Sequence, residues 1–147
     1  MTRAADDTAV DTLQAVLEAE QAASYGYGVV GAHLTGHREA TAAADWIAHQ
    51  RARDELGDLL RARGATPQAA AVAYSLPIAV RTGREAVALA AILEERVTAA
   101  YLRLVALSDP ALRELGAQRM RTSALRAARW RGGTVAFPGL PASALGG

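Results

Sequence analysis

Residues 65–83, ATPQAAAVAYSLPIAVRTG, are the stretch on which the fold turns. Gly64 just before it suits the position past a helix end, Pro67 blocks continuation, and Pro77 sits in the turn-like Tyr74-Ser75-Leu76-Pro77. So long a connection is unusual in a compact domain, so the segment is expected to run the length of the molecule and pack against it. Outward from it, Gly and Pro divide the chain into four helical segments. The first spans about Thr8 to Leu34, with Asp6 or Asp7 as N-cap and a stop near Gly36; the second spans about Arg38 to Arg63. The third spans about Arg84 to Leu107. Ser108-Asp109-Pro110 then stops it and starts the fourth, which runs to about Trp130 and ends at Gly132-Gly133. Short links make antiparallel hairpins of helices one and two and of helices three and four. The expected fold is therefore all-α, a four-helix bundle over residues 1–133 with a long crossover between helices two and three. Residues 134–147 are expected to form an extended or disordered tail, anchored, if at all, through Val135, Phe137 and Leu140.

Composition agrees. Of 147 residues, 51% are hydrophobic but only 5% aromatic, and 36 are alanine, the best helix former and a poor strand former. Cysteine is absent, which excludes disulfides, thiolate metal sites and a cysteine nucleophile. The net charge is +1 and all 16 basic residues are arginine, with acids and bases alternating through the middle of the chain. No nucleic-acid partner is expected, and the run Arg119 to Arg131, including Arg121, Arg126 and Arg129, reads as a solvated helix face. There is no apolar leader at the N-terminus and no run approaching the roughly 18 apolar residues that span a bilayer. The expected setting is the cytoplasm, with no membrane partner.

The chain also echoes itself. At a shift of 76 residues, Leu13-Gln14-Ala15-Val16-Leu17-Glu18 overlies Leu89-Ala90-Ala91-Ile92-Leu93-Glu94, and Tyr25 overlies Tyr101. Each helix then carries a Glu and, two turns later on the same face, a Tyr. Helices one and three are thus expected to be pseudo-equivalent, as duplicated hairpins require.

On these residues a resemblance can be stated. The Glu-x6-Tyr pattern looks like the first and third helices of ferritin-like di-iron proteins, in which each such Glu ligates iron and a Tyr lies nearby. The whole chain resembles an actinobacterial ferritin-like domain family of unknown function, on Leu17-Glu18-Ala19-Glu20, Tyr25 to Gly31, Ala73 to Pro77 and Ala128 to Gly132. The resemblance implies the ferritin-like topology and carries no known activity.

A di-iron centre in that fold needs a Glu from each of helices one and three and a Glu-x-x-His from each of the others. Glu18 and Glu94 could fill the first two places, and His49 is the one histidine of helix two, with Trp46 three residues before it. Helix four has no histidine, and its only carboxylate is Glu114 in the first turn. The three vestigial candidates Glu18, His49 and Glu94 would leave two irons under-coordinated, so no cofactor is expected; iron or manganese is the choice if any. The inward carboxylates then need another counter-charge. The expected replacement is a core polar cluster of Glu18, Tyr25, His49, Arg53, Glu94 and Tyr101, with His49 and Arg53 on the apolar arc of Trp46, Ala52, Leu56 and Leu60. On helix one the signals conflict: the repeat turns Glu18 inward, whereas Leu13, Leu17, Tyr27 and Leu34 surround Glu20. The two lie about 200° apart and cannot both be core, and the repeat favours Glu18.

Other patterns are weaker. His33 and His37 read as a solvated helix end, Ser24, Ser75 and Ser123 lack an activating triad, and Gly26, Gly28 and Gly31 permit close helix packing. The expected function is non-enzymatic: a metal-free ferritin-like module acting in structure or interaction, most simply as a homodimer joined through Tyr74, Leu76 and Ile78. The alternative is a metal-binding ferritin-like protein or oxidoreductase with a mono- or dinuclear site in the core.

Overall fold

A computed structural model of the chain describes residues 2–132, which form four α-helices: α1 (Arg3–Ala32), α2 (Gly36–Ala62), α3 (Gly83–Val105) and α4 (Pro110–Arg131). The expected tail at 134–147, with its Phe137 anchor, lies outside the described residues. Each start has a local cause. Thr82 accepts from the Glu85 backbone N–H while the Glu85 carboxylate takes the Thr82 N–H, a complete capping box. Asp109 accepts from the N–H groups of Ala111 and Leu112, with Pro110 in the first turn. Helix α1 starts earlier than the sequence indicated: Thr2 caps it through Ala5 N–H, and Asp6 falls in the first turn, where a carboxylate complements the positive end of the helix dipole. Gly64 (φ 73°) and Gly132 (φ 77°) take the left-handed conformation just beyond α2 and α4.

Helix α3 packs on α4, α1 on α2, and α1 on α3. The α1–α3 pair is antiparallel, since Glu20 meets Tyr101 while Tyr27 meets Glu94. Two features draw backbones together: Gly26 lies under Leu93, and Gly116 lies against Leu104 and the carbonyl of Tyr101. The crossover is extended and pinned to α1 by two glutamines two turns apart. Gln14 bonds the Thr66 carbonyl (2.8 Å) and the Gln68 N–H (3.0 Å), and Gln21 bonds the Gln68 carbonyl (3.0 Å) and the Tyr74 hydroxyl (3.3 Å). Its second half lays Leu76, Ile78 and Val80 on the core.

The apolar interior comes in two blocks. One gathers Leu13, Leu17, Leu56, Leu60, Leu104 and Leu112; the other gathers Val30, Leu34, Leu89, Leu93 and the ring of Trp130. Between them lies a layer of buried polar side chains.

Candidate functional site

Each helix contributes to that layer. Glu20 comes from α1 together with Tyr27, Asp45 and His49 come from α2, Glu94 and Tyr101 from α3, and Trp130 from α4; all are buried. The centre is His49, 1% exposed. Its Nδ1 lies 2.6 Å from Glu20 Oε2 and its Nε2 lies 2.9 Å from Glu94 Oε1. Carboxylates only accept hydrogen bonds, so an imidazole held at both nitrogens by carboxylates is an imidazolium. Burial by itself pushes His49 down, but the hydrogen bonds to Glu20 and Glu94 and their negative charges outweigh it and lift the ring to about 9.

The tyrosines complete the layer by crossing over. Tyr101 of α3 donates to Glu20 of α1 at 2.7 Å, and Tyr27 of α1 donates to Glu94 of α3, also at 2.7 Å. Burial first, then the charges of Glu94 and Asp45, hold the Tyr27 phenol far above its ordinary value. Burial and then Glu20 do the same at Tyr101, so both remain donors. The Tyr27 ring also stacks on His49, with centroids 5.1 Å apart.

A third carboxylate, Asp45, joins this layer to α4. It accepts from Trp130 Nε1 (2.9 Å), pairs with Arg126 (3.3 Å) and Arg129, and lies 3.3 Å from the Tyr27 hydroxyl. Farther along the same seam Arg119 pairs with Glu55. Arg119, Arg126 and Arg129 are thus engaged with α2, and Arg131 with Glu95, instead of forming a free basic face.

The structure corrects the sequence reading at four positions. Glu18 is exposed and Glu20 takes the inward place. Tyr25 is 38% exposed and packs against Tyr74 of the crossover, while Tyr27 is the buried tyrosine. Arg53 points out of the bundle to Asp54, and Trp46 is 40% exposed. The first two errors have one cause. The buried repeat is displaced by 74 residues (94 less 20, 101 less 27), not 76. At that shift Glu20 overlies Glu94, Ser24 overlies Thr98, Tyr27 overlies Tyr101 and Val30 overlies Leu104, and every one of these is buried. The competing shift also aligned a Glu and a Tyr, Glu18 with Glu94 and Tyr25 with Tyr101, because helix α1 carries a second Glu and a second Tyr two residues from each buried one. The pairing of Asp45 with Arg126, Arg129 and Trp130 left no sequence signal, and the run from Arg119 to Arg131 read as a solvated helix face.

The residues do not fit the dinuclear centre that the resemblance implied. The two nitrogens of His49 face opposite ways, each toward its own carboxylate, so Glu20, His49 and Glu94 do not converge on a point. Among the described residues no group of three or more His, Asp or Glu side chains is placed to hold a metal ion. At the position that the 74-residue shift makes equivalent to His49, α4 has Ser123, also buried. Ser24 Oγ and Glu94 Oε2 are the buried side-chain atoms without a hydrogen-bond partner among the described residues.

The fold and this layer define a class, an all-α bundle of two hairpins closed around a core of mutually neutralising polar side chains. A family model described as a domain of unknown function, DUF4439, matches residues 12–142, and the chain belongs to that family. It is similar to the crystal structure of a conserved hypothetical protein, rv2844, from Mycobacterium tuberculosis. The two share 29% identity and superpose with a TM-score of 0.82, over 90% of this chain and 98% of that one. No curated protein matches the chain. Among the described residues no helix is long and apolar enough to cross a membrane.

Proposed function

We propose that this chain is a metal-free ferritin-like bundle acting as a non-enzymatic structural or interaction module. The topology supports the ferritin-like reading: two hairpins joined by a long crossover, with a buried Glu on α1 and another on α3. One observation carries the loss of metal. The imidazolium of His49 bridges Glu20 and Glu94 with both nitrogens committed (2.6 and 2.9 Å), supplying from the protein the positive charge that ions would otherwise bring. The layer lies between two apolar blocks and its tyrosine donors are spent on carboxylates, so nothing in it is presented to a substrate. Leu76 and Ile78, expected at the dimer contact, are packed on the core; exposed Trp46 and Ile47 on α2, and Val72 on the crossover, support self-association in their place, with a homodimer as the simplest form.

Elemental analysis of protein purified without chelators tests the metal-free state, and sedimentation tests the dimer. The expected outcome is well under one transition-metal ion per chain and no rise in melting temperature with added Fe(II), Mn(II) or Zn(II). Two ions per chain that disappear in Glu20→Ala would overturn the reading. A second reading has one observation in its favour, the unpartnered Glu94 Oε2, which leaves one acceptor for a cation. That reading, a single ion held by Glu94 and His49 together, is selected by one ion per chain that is lost in His49→Ala.

A further inference from the structure

On the α1–α3 pair lies a groove of about 350 Å³, lined by other residues than those of the buried layer and walled by the crossover. It is within the size range of small-molecule sites. Its floor is methyl groups, from Ala19 and Ala22 of α1 and Ala99 and Ala100 of α3, and Leu76 and Pro77 form the apolar wall. Tyr74 stands in the same wall, fixed by its hydroxyl to Gln21 and by its ring against Tyr25. The groove is therefore formed before any ligand arrives.

Its charges are asymmetric. Arg96 and Arg103 line it from α3, two helical turns or about 10 Å apart, and Glu18 lines it from α1. Among the described residues neither arginine lies within ion-pair distance of a carboxylate, unlike Arg63, Arg119, Arg126 and Arg129. The antiparallel register set by Glu20 with Tyr101 and Tyr27 with Glu94 brings Glu18 level with Arg103, and Arg96 level with Tyr25. Glu18 thus offsets the field of Arg103, and Arg96 remains the uncompensated cation at the Tyr74 end. A single anionic head belongs there, with an apolar body along the alanine floor toward Arg103.

We propose that this groove binds a linear aliphatic monocarboxylate, its head on Arg96 and its chain on the alanine floor. The distance between the two arginines accommodates a chain of about eight to ten carbons. Two anionic heads would bring the second one against Glu18, and a cationic head would meet Arg96.

Calorimetric titration with decanoate, below its micelle concentration, tests this on the full chain. The expected dissociation constant is roughly 10–300 µM, in keeping with a ligand of this size in an open site. Arg96→Ala should weaken binding at least tenfold, and Ala22→Leu, which fills the floor, should abolish it. Circular dichroism checks that both variants stay helical, and the exposed Arg113 of α4, changed to Ala, should leave binding unchanged. Acetate should not bind, and octyl glucoside should bind at least tenfold more weakly than decanoate. The proposal is overturned by no heat with decanoate, by equal binding of octyl glucoside, or by binding that survives both groove variants.

Discussion

Between α1 and α3 the helices approach through small residues and carry matching polar groups: Glu20 and Glu94, Ser24 and Thr98, Tyr27 and Tyr101. Between α2 and α4 the connection is made by long side chains, Asp45 to Arg126, Arg129 and Trp130, and Glu55 to Arg119. The same 74-residue shift relates both pairs, since it carries the start of α2 at Gly36 to the start of α4 at Pro110, and Leu56 to Trp130. Yet it carries His49 to Ser123 and Asp45 to Arg119. One side of the bundle, α1 with α3, has kept its symmetry and the opposite side, α2 with α4, has lost it. The symmetric pair supplies two buried acids, which the His49 imidazolium of α2 answers; within the asymmetric pair the guanidinium groups of α4 answer Asp45 of α2. A buried charge is tolerable only when paired and hydrogen-bonded, so the α1–α3 side depends on the α2–α4 side for its cation.

The sharpest way to break this dependence is His49→Leu. It removes the one cation between Glu20 and Glu94 and strands two buried acids, which should cost about 3–5 kcal/mol in denaturant unfolding. Loss of less than about 1 kcal/mol would show that the acids are satisfied without it. The same residue sets a pH signature. The folded-state value of His49 is about 9, above the ordinary 6.5, so its stabilisation is full below about pH 6.5 and is lost as pH rises through about 9. Wild-type stability should fall across that window, and His49→Leu should lack this slope.

Glycines sharpen the packing side of the comparison. A Cβ at Gly116 would meet Leu104 Cβ at 2.8 Å, Tyr101 O at 2.9 Å and Val105 N at 3.1 Å. These atoms are backbone or next to it and cannot swing away. Gly116→Ala should therefore cost about 1–3 kcal/mol in spite of the better helix propensity of Ala. A Cβ at Gly26 would meet only the ends of Leu93, at 2.5 and 2.9 Å, which can change rotamer. Gly26→Ala should stay within about 1 kcal/mol of wild type, and equal losses at both glycines would remove the distinction. The smallest effect belongs to the solvent edge of the α2–α4 seam. Arg119→Ala breaks a half-exposed pair with Glu55 and should cost less than about 1 kcal/mol. A larger loss would mean that this seam is closed by its outer ion pair instead of by Asp45.

Local chemistry made the architecture readable in the sequence. Gly64, Pro67 and Pro77 announced the crossover, Asp109-Pro110 the start of α4, and alanine content the all-helical class, because caps, breakers and propensities act within a few residues of where they are written. His49, Glu94 and Tyr101 could likewise be assigned to the core, since each sits on an apolar stripe of its own helix. The identity of their partners could not. Glu18 and Glu20 are equally plausible on the page because choosing between them requires the rotation of α1 about its axis, and that rotation is settled only when Leu13, Val16 and Leu17 meet the opposing helices. The union of Asp45 with Arg126, Arg129 and Trp130 spans more than eighty positions of chain and follows no spacing rule. Sequence determined which segments are helices and which acids required an answer. Packing decided which face of each helix turned inward, and so which cations gave it, because a buried charge takes its partner from whatever the fold brings within hydrogen-bond reach.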